Sequence, residues 1–392
     1  MTSIAGIRLK KNREKSVLQY HPWIFSGAIQ EIDHGIGDGD MAAVSDFSGE
    51  HLGYGYYNSK TQISVRMLSF STDPVDDGFF RRLIISAIEK RKAGPSLGRT
   101  TACRMVFSEG DFLPGLIVDR YNNHLVIQIF TLGMEKMKGS IVRMLEKTLH
   151  PESVYERSDH EGRKLEGLPE SSGQLAGTTP EEITINENGA SFNVDVMRGQ
   201  KTGFFLDQRD NRMLVRSLSK DRKALNLFSY TGGFSVQALA GGATGAVCVD
   251  ASESALTAAH ANAVLNGYGG KHETVRADIF QYLRHADIDA GIIVCDPPAL
   301  VKSKNALDAG CRGYKDLNLQ ITKKCRPGTL LLTCSCSRFV SMDLFQKIVF
   351  SAFADAGRKA SIIGKFGHPA DHPVSIFCPE TEYLKSMLLY IE

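Results

Sequence analysis

The chain of 392 residues is 42% hydrophobic and 23% charged, and its net charge at pH 7 is +2. This length predicts two or three domains, and the ordinary composition excludes wholesale disorder, collagen and coiled coil. The near-neutral balance excludes a nucleic-acid binder driven by a basic tail, so any RNA-binding charge must lie in local patches. No apolar run reaches the roughly 20 residues that cross a bilayer, and the segment Met1 to Tyr20 has no apolar core. We therefore expect a cytoplasmic protein with no membrane partner.

Residues 1–72 are predicted to form a small β-barrel or sandwich, because short strands alternate with glycine turns. The predicted strands cover residues 4–9, 41–47, 53–57 and 63–68. The same segment carries a basic cluster, formed by Arg8, Lys10, Lys11, Arg13 and Lys15. Such a cluster can contact RNA phosphates, although a run of charge is commonly only a solvated face.

A different pattern begins at Asp73 and Pro74 and predicts an α+β middle domain over residues 73–185. Apolar periodicity, turn residues and helix breakers define its elements. These are a helix over 79–92 that ends at Gly94 and Pro95, a hairpin about Asn122 and Asn123, a helix over about 133–148, and a loop over 171–180.

Strands alternate with helices over residues 186–392, and the strands are predicted at 224–228, 246–250, 291–296 and 329–333. This alternation predicts a doubly wound parallel sheet, which binds ligands at the carboxyl ends of its strands. Arg209, Arg212 and Arg216 repeat there at helical spacing and either meet phosphates or form a solvated face.

A glycine turn follows the first of these strands in Leu225-Asn-Leu-Phe-Ser-Tyr-Thr-Gly-Gly-Phe-Ser235. Glycines let the backbone approach a cofactor, and Asp250 ends the next strand at a distance suited to ribose hydroxyls. Asp278 ends the next segment, Val275-Arg-Ala-Asp278, and can accept from an adenine amino group. Since the turn is not GxGxxG, we expect an adenosine cofactor without pyrophosphate, of which S-adenosylmethionine is the common one. The alternative is a plain tight turn of an α/β domain.

Two further motifs lie at strand ends. Asp296 precedes two prolines, which remove N–H donors and leave acceptors suited to a base that carries an amino group. In Leu332-Thr-Cys-Ser-Cys-Ser337, Cys336 is the predicted nucleophile because it lies outermost, and Cys334 is predicted to be structural. We place Cys311 in a loop, where it can assist proton removal or product release.

The eight cysteines show no CxxC spacing, which excludes a disulfide framework and a zinc pattern. Four histidines, His21, His51, His368 and His372, have no ligand partners at metal spacing and are interpreted as structural or surface residues. No metal is expected.

Segments spread over the whole chain have an order and spacing that together are highly specific. They are His21-Pro-Trp-Ile-Phe-Ser, Ser108-Glu-Gly-Asp-Phe-Leu-Pro-Gly, Lys201-Thr-Gly-Phe-Phe-Leu-Asp-Gln-Arg-Asp, Asn226-Leu-Phe-Ser-Tyr-Thr-Gly-Gly-Phe-Ser, Cys295-Asp-Pro-Pro, Cys311-Arg-Gly-Tyr-Lys-Asp, Ser335-Cys-Ser, Asp371-His-Pro-Val and Tyr383-Leu-Lys. In this order they resemble the bacterial large-subunit rRNA cytosine-5 methyltransferase family. Ala299 and Leu300 depart from the Lys-Phe that is frequent in relatives, and Cys334 stands where an aromatic is frequent.

This resemblance implies a PUA barrel, a middle α+β domain and a class I methyltransferase domain that methylates one cytosine of 23S rRNA at C5. The implied cofactor site contains Gln208, Arg209, Ser229, Tyr230, Gly232, Asp250, Asp278 and Asp296. Asp296 and Pro297 would face the target base, and Cys336 would be the nucleophile. The RNA is expected to contact Arg8, Lys10, Lys11 and Arg312.

The cysteine agrees with chemistry at C5, because this carbon becomes nucleophilic only after a thiolate adds to C6. Asp296, protonated when it acts, can stabilise charge at N3 and N4 during the addition. The expected partners are 23S rRNA or a large-subunit precursor and a second copy of the chain, and no DNA is expected. The alternatives are an rRNA N-methyltransferase that acts on a purine, and a non-catalytic RNA-binding factor of ribosome assembly.

Overall fold

The computed structural model describes residues 5–73, 75–94 and 97–392. Ile4, Pro74 and Pro95, which belong to predicted elements, lie outside these described residues. The chain divides into two compact units. The first unit contains the described residues up to Ile183, Val194–Phe204 and Ala370–Thr381, and the second contains Thr184–Asn193, Phe205–Pro369 and Glu382–Glu392.

The N-terminal part of the first unit is a six-stranded sheet with one short helix. Its elements are β1 (Gly6–Leu9), α1 (Lys15–Leu18), β2 (Trp23–Phe25), β3 (Ile29–Ile32), β4 (Met41–Ser45), β5 (His51–Tyr57) and β6 (Ile63–Ser69). The strand order is β2-β6-β5-β4-β1-β3. Burial alternates along β1, where Ile7 and Leu9 are buried and Arg8 is exposed, as a sheet with one face on a core requires. The four predicted strands are confirmed, and β2 and β3 add to them.

The rest of the first unit is a five-stranded sheet, ordered β11-β10-β9-β8-β7, with two long helices. The elements are α2 (Asp77–Ala93), β7 (Ala102–Phe107), β8 (Leu116–Tyr121), β9 (His124–Ile129), α3 (Leu132–Leu149), β10 (Ser153–Ser158) and β11 (Ser171–Gly177). Both predicted helices and the hairpin are confirmed. Tyr121 pairs with His124, and Asn122 between them has φ 54°, a left-handed conformation that asparagine tolerates.

The loop expected over 171–180 is wrong for its first seven residues, which form β11. This strand pairs antiparallel with β10, from Ser153 opposite Gly177 to Ser158 opposite Ser171. It lies at the edge of the sheet and packs few side chains, so small polar residues suffice. The Gln174 amide donates to the carbonyl oxygens of Val154 and Ala176 at 3.1 and 2.7 Å, which helps to fix the strand.

The second unit alternates strands and helices. Before them comes a hairpin of β12 (Ile183–Glu187) and β13 (Ala190–Val194). The strands that follow are β14 (Lys223–Leu227), β15 (Gly245–Asp250), β16 (His272–Arg276), β17 (Ile292–Cys295), β18 (Leu330–Ser335), β19 (Ala360–Phe366) and β20 (Lys385–Ile391). The helices are α4 (Arg209–Leu218), α5 (Gly233–Ala240), α6 (Glu253–Leu265), α7 (Ile279–His285), α8 (Leu307–Lys324) and α9 (Met342–Ala356).

The seven strands from β14 onward form one sheet in the order β16-β15-β14-β17-β18-β20-β19. The first five are parallel, and β20 runs antiparallel to both of its neighbours. All four residues of β17 are buried, as expected for a strand covered on both faces. The predicted doubly wound sheet is therefore confirmed, and it places the ends of four predicted strands along one edge.

Candidate active site

The carboxyl ends of β14, β15, β17 and β18 lie level with one another. Leu227 pairs with Val249 on one side and with Cys295 on the other, and Cys295 pairs with Thr333. Asp250 and Asp296 each follow one of these paired positions by one residue. Parallel strands thus bring the separate sequence motifs together at one edge.

The glycine turn after β14 is tight and strained enough to need its glycine. Phe228, Tyr230 and Gly232 have φ values of 59°, 46° and 79°, in the left-handed region that favours glycine. A Cβ on Gly232 would lie 2.9 Å from the Cβ of Ala259 in α6. The turn therefore lets α5 begin close against α6.

Asp250 holds this turn in place. Its Oδ2 accepts from the backbone N–H of Tyr230 at 2.9 Å, and its Oδ1 accepts from that of Ser252 at 2.9 Å. Each carboxylate oxygen has a further lone pair, and the side chain is half-buried. Asp250 can therefore accept hydrogen bonds from a ligand while it anchors the loop.

Asp278 follows β16 and caps α7, where its Oδ1 accepts from the Gln281 backbone N–H at 3.0 Å. It is exposed, and the neighbouring Ala277 donates its backbone N–H to the Asp250 carbonyl at 3.0 Å. This links the two acidic strand ends that the sequence predicted for an adenosine ligand.

Gln208 and Arg209 are buried at the start of α4. The Gln208 Oε1 accepts from Asn211 at 2.5 Å, and the Arg209 Nε lies 3.8 Å from the Glu187 carboxylate. Arg212 makes a bidentate pair with the same carboxylate, at 2.6 Å for each contact. These two arginines therefore neither contact phosphates nor form a solvated face, because both side chains are buried and directed at the β12–β13 hairpin.

Cys336 and the Asp296-Pro297 segment lie together. The Cys336 thiol donates to the Pro297 carbonyl oxygen at 3.8 Å, and Cys336 and Asp296 are half-buried. Cys334 is fully buried within β18, and burial raises its pKa well above the usual range. The Cys336 thiol is therefore less buried than the Cys334 thiol, which is the difference that their order in the sequence predicts.

Cys311 is not in a loop, as the sequence suggested, but in the first turns of α8. It is half-buried, and burial raises the pKa of its thiol. A Cβ on Gly313 would lie 3.1 Å from the Leu300 Cδ1, so this face of the helix lies close to Leu300. Arg312 beside it is exposed.

Lys385 is a residue of this edge whose role sequence reasoning did not identify. It opens β20, pairs with Ser335 and is only 3% exposed. Its Nζ donates to the carbonyl oxygens of Ser337 and Tyr383 at 2.7 and 2.6 Å. The Tyr383-Leu-Lys motif contained this lysine, but only the antiparallel insertion of β20 beside β18 brings it near Cys336.

The basic residues of the first unit lie on its surface. Arg8, Lys10 and Lys11 are exposed. Arg8 is 3.4 Å from Glu31, and the Lys10 Nζ donates to the Gly27 carbonyl at 3.0 Å. A groove of about 460 Å³ next to them is lined by Asn12, Arg13, Lys15, Ser16, Gln19, Trp23, Ile24, Phe25, Gly27 and Ala28. Cations and an exposed aromatic thus border one concave surface.

His21 has partners that its sequence spacing did not reveal. Its Nε2 lies 3.4 Å from the Glu380 Oε2, and the Cys378 thiol donates to the same oxygen at 3.5 Å. These donor types can ligate a metal, but hydrogen bonds to one shared carboxylate oxygen account for the cluster.

Across residues 5–73, 75–94 and 97–392, no helix is long and apolar enough to cross a membrane.

The fold and this site define an S-adenosylmethionine-dependent methyltransferase with a PUA-like domain. Residues 112–355 match the family of S-adenosylmethionine-dependent methyltransferases, and residues 7–70 match the PUA-like domain. The chain is 43% identical to the ribosomal RNA large subunit methyltransferase I of Aeromonas salmonicida and 40% identical to that of Alteromonas mediterranea, with 98% of both chains covered each time. The chain belongs to the family of these methyltransferases.

A solved methyltransferase structure in complex with S-adenosylhomocysteine has the same fold. Its TM-score is 0.84 at 23% identity, and the match covers 98% of this chain and 99% of that one. The predicted fold class, family and cofactor are confirmed.

Proposed function

We propose that this protein methylates C5 of one cytosine in 23S rRNA or its large-subunit precursor, through a covalent bond between Cys336 and C6. The observation that carries the proposal is the half-buried Cys336 thiol beside the Asp296-Pro297 segment, on the sheet edge that also holds the glycine turn. The relatives, which are named for ribosomal RNA of the large subunit, support this substrate.

The strand ends on the other side of β14 fit an adenosine cofactor. Asp250 has lone pairs available for the ribose hydroxyls, and exposed Asp278 can accept from the adenine amino group. The remaining residues assigned to the cofactor are Gln208, Arg209, Ser229, Tyr230, Gly232 and Asp296. Bound S-adenosylmethionine supplies an electrophilic methyl group.

The residues of the chain then act on the base. The Cys336 thiolate adds to C6, which moves electron density to C5 and makes this carbon a nucleophile. Protonated Asp296 donates to N3 and stabilises the charge that develops there and at N4. After methyl transfer the C5 proton leaves to a base, the C5–C6 double bond re-forms and the thiolate of Cys336 is expelled.

RNA affinity is assigned to exposed cationic side chains of both units. Arg8, Lys10 and Lys11 are exposed beside the groove of the first unit, and Arg312 is exposed on α8. Cationic side chains can neutralise phosphates without reading sequence. We assign these residues to the rRNA backbone and Pro297 to the target base.

The chain is assigned three domains, at 1–72, 73–185 and 186–392, and the PUA-like match over 7–70 supports the first. An rRNA substrate implies action in the bacterial cytoplasm.

We also propose a homodimer, because Ile362 and Ile363 on the edge strand β19 are 39% and 53% exposed and exposed apolar edges favour pairing. Light scattering that gives one chain mass at micromolar concentration would contradict the dimer.

Mass spectrometry of rRNA from cells that lack the protein tests the reaction. The proposal predicts the loss of one 5-methylcytosine from 23S rRNA. Wild type and Cys334→Ala should restore it, and Cys336→Ala should not. A lost N-methyl purine would instead support the purine methyltransferase, and unchanged rRNA would support the non-catalytic assembly factor.

A further inference from the structure

Lys385 is a buried lysine next to the strand that leads to Cys336. Only 3% of it is exposed, although burying an ammonium without a counter-charge is costly. Its Nζ contacts are two carbonyl oxygens, Ser337 O at 2.7 Å and Tyr383 O at 2.6 Å. A buried lysine with only these two contacts indicates a chemical role for its amine.

The segment after Cys336, to which Lys385 donates a hydrogen bond, is fixed from several sides. The Ser337 hydroxyl lies 2.8 Å from the Tyr314 hydroxyl and accepts from the Val301 backbone N–H at 3.0 Å. The Ser337 carbonyl, one residue beyond Cys336, accepts from Lys385. The Nζ therefore keeps a set position relative to the Cys336 segment.

Lys385 has two protonation states, and each leaves one position on Nζ that the two carbonyl contacts do not use. A neutral amine has two N–H donors and one lone pair, and a charged ammonium has three donors. The Ser337 and Tyr383 carbonyls use two donors. In the neutral state the lone pair is left to accept a proton, and in the charged state the third N–H is left to stabilise an anion.

We propose that Lys385 takes the proton of the Cys336 thiol and then stabilises the thiolate, so that it acts on the reaction through Cys336. The S–H bond breaks, an N–H bond forms, and the total charge of the pair is unchanged. The inference rests on the proposed function, in which Cys336 is the nucleophile.

Burial lowers the pKa of Lys385 to about 8, and the charges of Cys336 and Glu382 act in the opposite direction. A neutral amine is thus populated near neutral pH, whereas an ordinary surface lysine would be almost wholly charged. Two more groups lie around the thiol. Burial raises the pKa of Tyr314 and keeps its hydroxyl neutral, and Asp296 directly precedes Pro297, whose carbonyl oxygen the thiol contacts.

The pH dependence of Cys336 alkylation in the full-length protein tests this inference. Iodoacetamide labelling is followed peptide by peptide from pH 6 to 10 in wild type, Lys385→Gln and Lys385→Arg. Glutamine keeps two N–H donors for the carbonyls but lacks the charge and the amine lone pair. We expect its inflection about one pH unit above that of wild type, with labelling about tenfold slower at pH 7.5.

The exposed Lys365 of β19 provides a matched control, and Lys365→Gln should label like wild type. Arginine keeps the cation, so Lys385→Arg should retain a low inflection even if the glutamine variant folds poorly. A wild-type inflection in folded Lys385→Gln, or a raised inflection in Lys385→Arg, would overturn the inference.

Methylation assays separate this inference from the proposed function. Activity retained by Cys336→Ala would remove the nucleophile, whatever the labelling shows. An inactive Cys336→Ala together with an unshifted Lys385→Gln profile would leave the nucleophile intact and overturn only the role of Lys385. The inference also predicts that the methylation defect of Lys385→Gln, about tenfold at pH 7, shrinks towards pH 9.

Discussion

Asp250 combines a structural contact with a place for a ligand. Its two oxygens receive backbone N–H groups from Tyr230 and Ser252, so the side chain shapes the glycine turn and the start of α6. A ribose would use lone pairs that these contacts leave available. Loss of the carboxylate should therefore affect cofactor binding more than an average surface change.

Asp250→Ala should weaken S-adenosylmethionine binding by roughly 1–3 kcal/mol, because buried hydroxyls would lose their acceptor. Calorimetry on the purified protein measures this directly, with circular dichroism to establish that the fold is intact. Glu253→Ala is the control, since Glu253 is exposed and pairs with Arg276 on the surface. Equal affinities of Asp250→Ala and wild type would remove Asp250 from the cofactor site.

Among the elements, those with a regular apolar pattern were predictable. The buried run of β17 and the apolar periodicity of α2 and α3 each identify their element without tertiary information. The strand β11 was not predicted because it is an edge strand of small residues, and its pairing with β10 is decided by tertiary contacts. The loop predicted at Cys311 was wrong: Gly310 and Gly313 lower the helix propensity around it, but both lie in α8, where that face packs against Leu300 and Val301.

A buried network joins β7 to the segment that contains Asp371. The fully buried Asp371 carboxylate accepts from the Arg104 backbone N–H at 2.9 Å and lies 3.0 Å from the His372 Nδ1. Its carbonyl accepts from Arg91 at 2.8 Å. The residues 370–381 are thereby held to the first unit from far along the sequence.

Asp371→Ala should lower the free energy of unfolding by roughly 3 kcal/mol, because the buried N–H and imidazole lose their acceptor. Urea denaturation followed by tryptophan fluorescence suits this measurement, since the one Trp of the chain, Trp23, lies in the first unit. Asp343→Ala is the matched control, because Asp343 is 76% exposed in a surface pair with Lys347. A change no larger than in the control would contradict the stabilising role of Asp371.

Within the first unit, the N-terminal sheet is locked to the five-stranded sheet. The Tyr56 hydroxyl donates to the Pro114 carbonyl at 2.7 Å, and a Cβ on Gly133 would lie 2.2 Å from the Tyr56 ring. Asn58 donates to the Glu166 carboxylate at 2.7 Å. Removal of residues 1–72 would therefore expose packed surface, so substitutions are the better test of RNA binding.

Replacing Lys10, Lys11 and Arg13 together by alanine should weaken rRNA binding without changing S-adenosylmethionine affinity. The plot of log affinity against log salt should become shallower by up to about 2–3 units, since each lost phosphate contact removes roughly 0.7–0.9. Filter binding at several salt concentrations measures this. Lys347→Ala, on the exposed face of α9, is the control, and equal slopes would refute the role of the basic N-terminal cluster.

Contacts between residues that are far apart in the sequence could not be predicted from the spacing of residues along the chain. Glu187 meets Arg209 and Arg212, and Lys385 reaches the segment after Cys336, although 48 residues separate it from Ser337. No periodicity encodes such pairs, because they depend on strand order. The motifs could predict which sheet edge is functional, but not which buried charges support it.

The covalent bond between Cys336 and the target cytosine is the central claim, and 5-fluorocytosine at the target position tests it most directly. This base has no C5 proton to lose, so methyl transfer should trap the protein on the RNA. Wild type and Cys334→Ala should form the adduct with S-adenosylmethionine present, and Cys336→Ala should not. Crosslinking by Cys336→Ala but not by Cys334→Ala would contradict the nucleophile, and methylation without any adduct in wild type would contradict C5 chemistry itself.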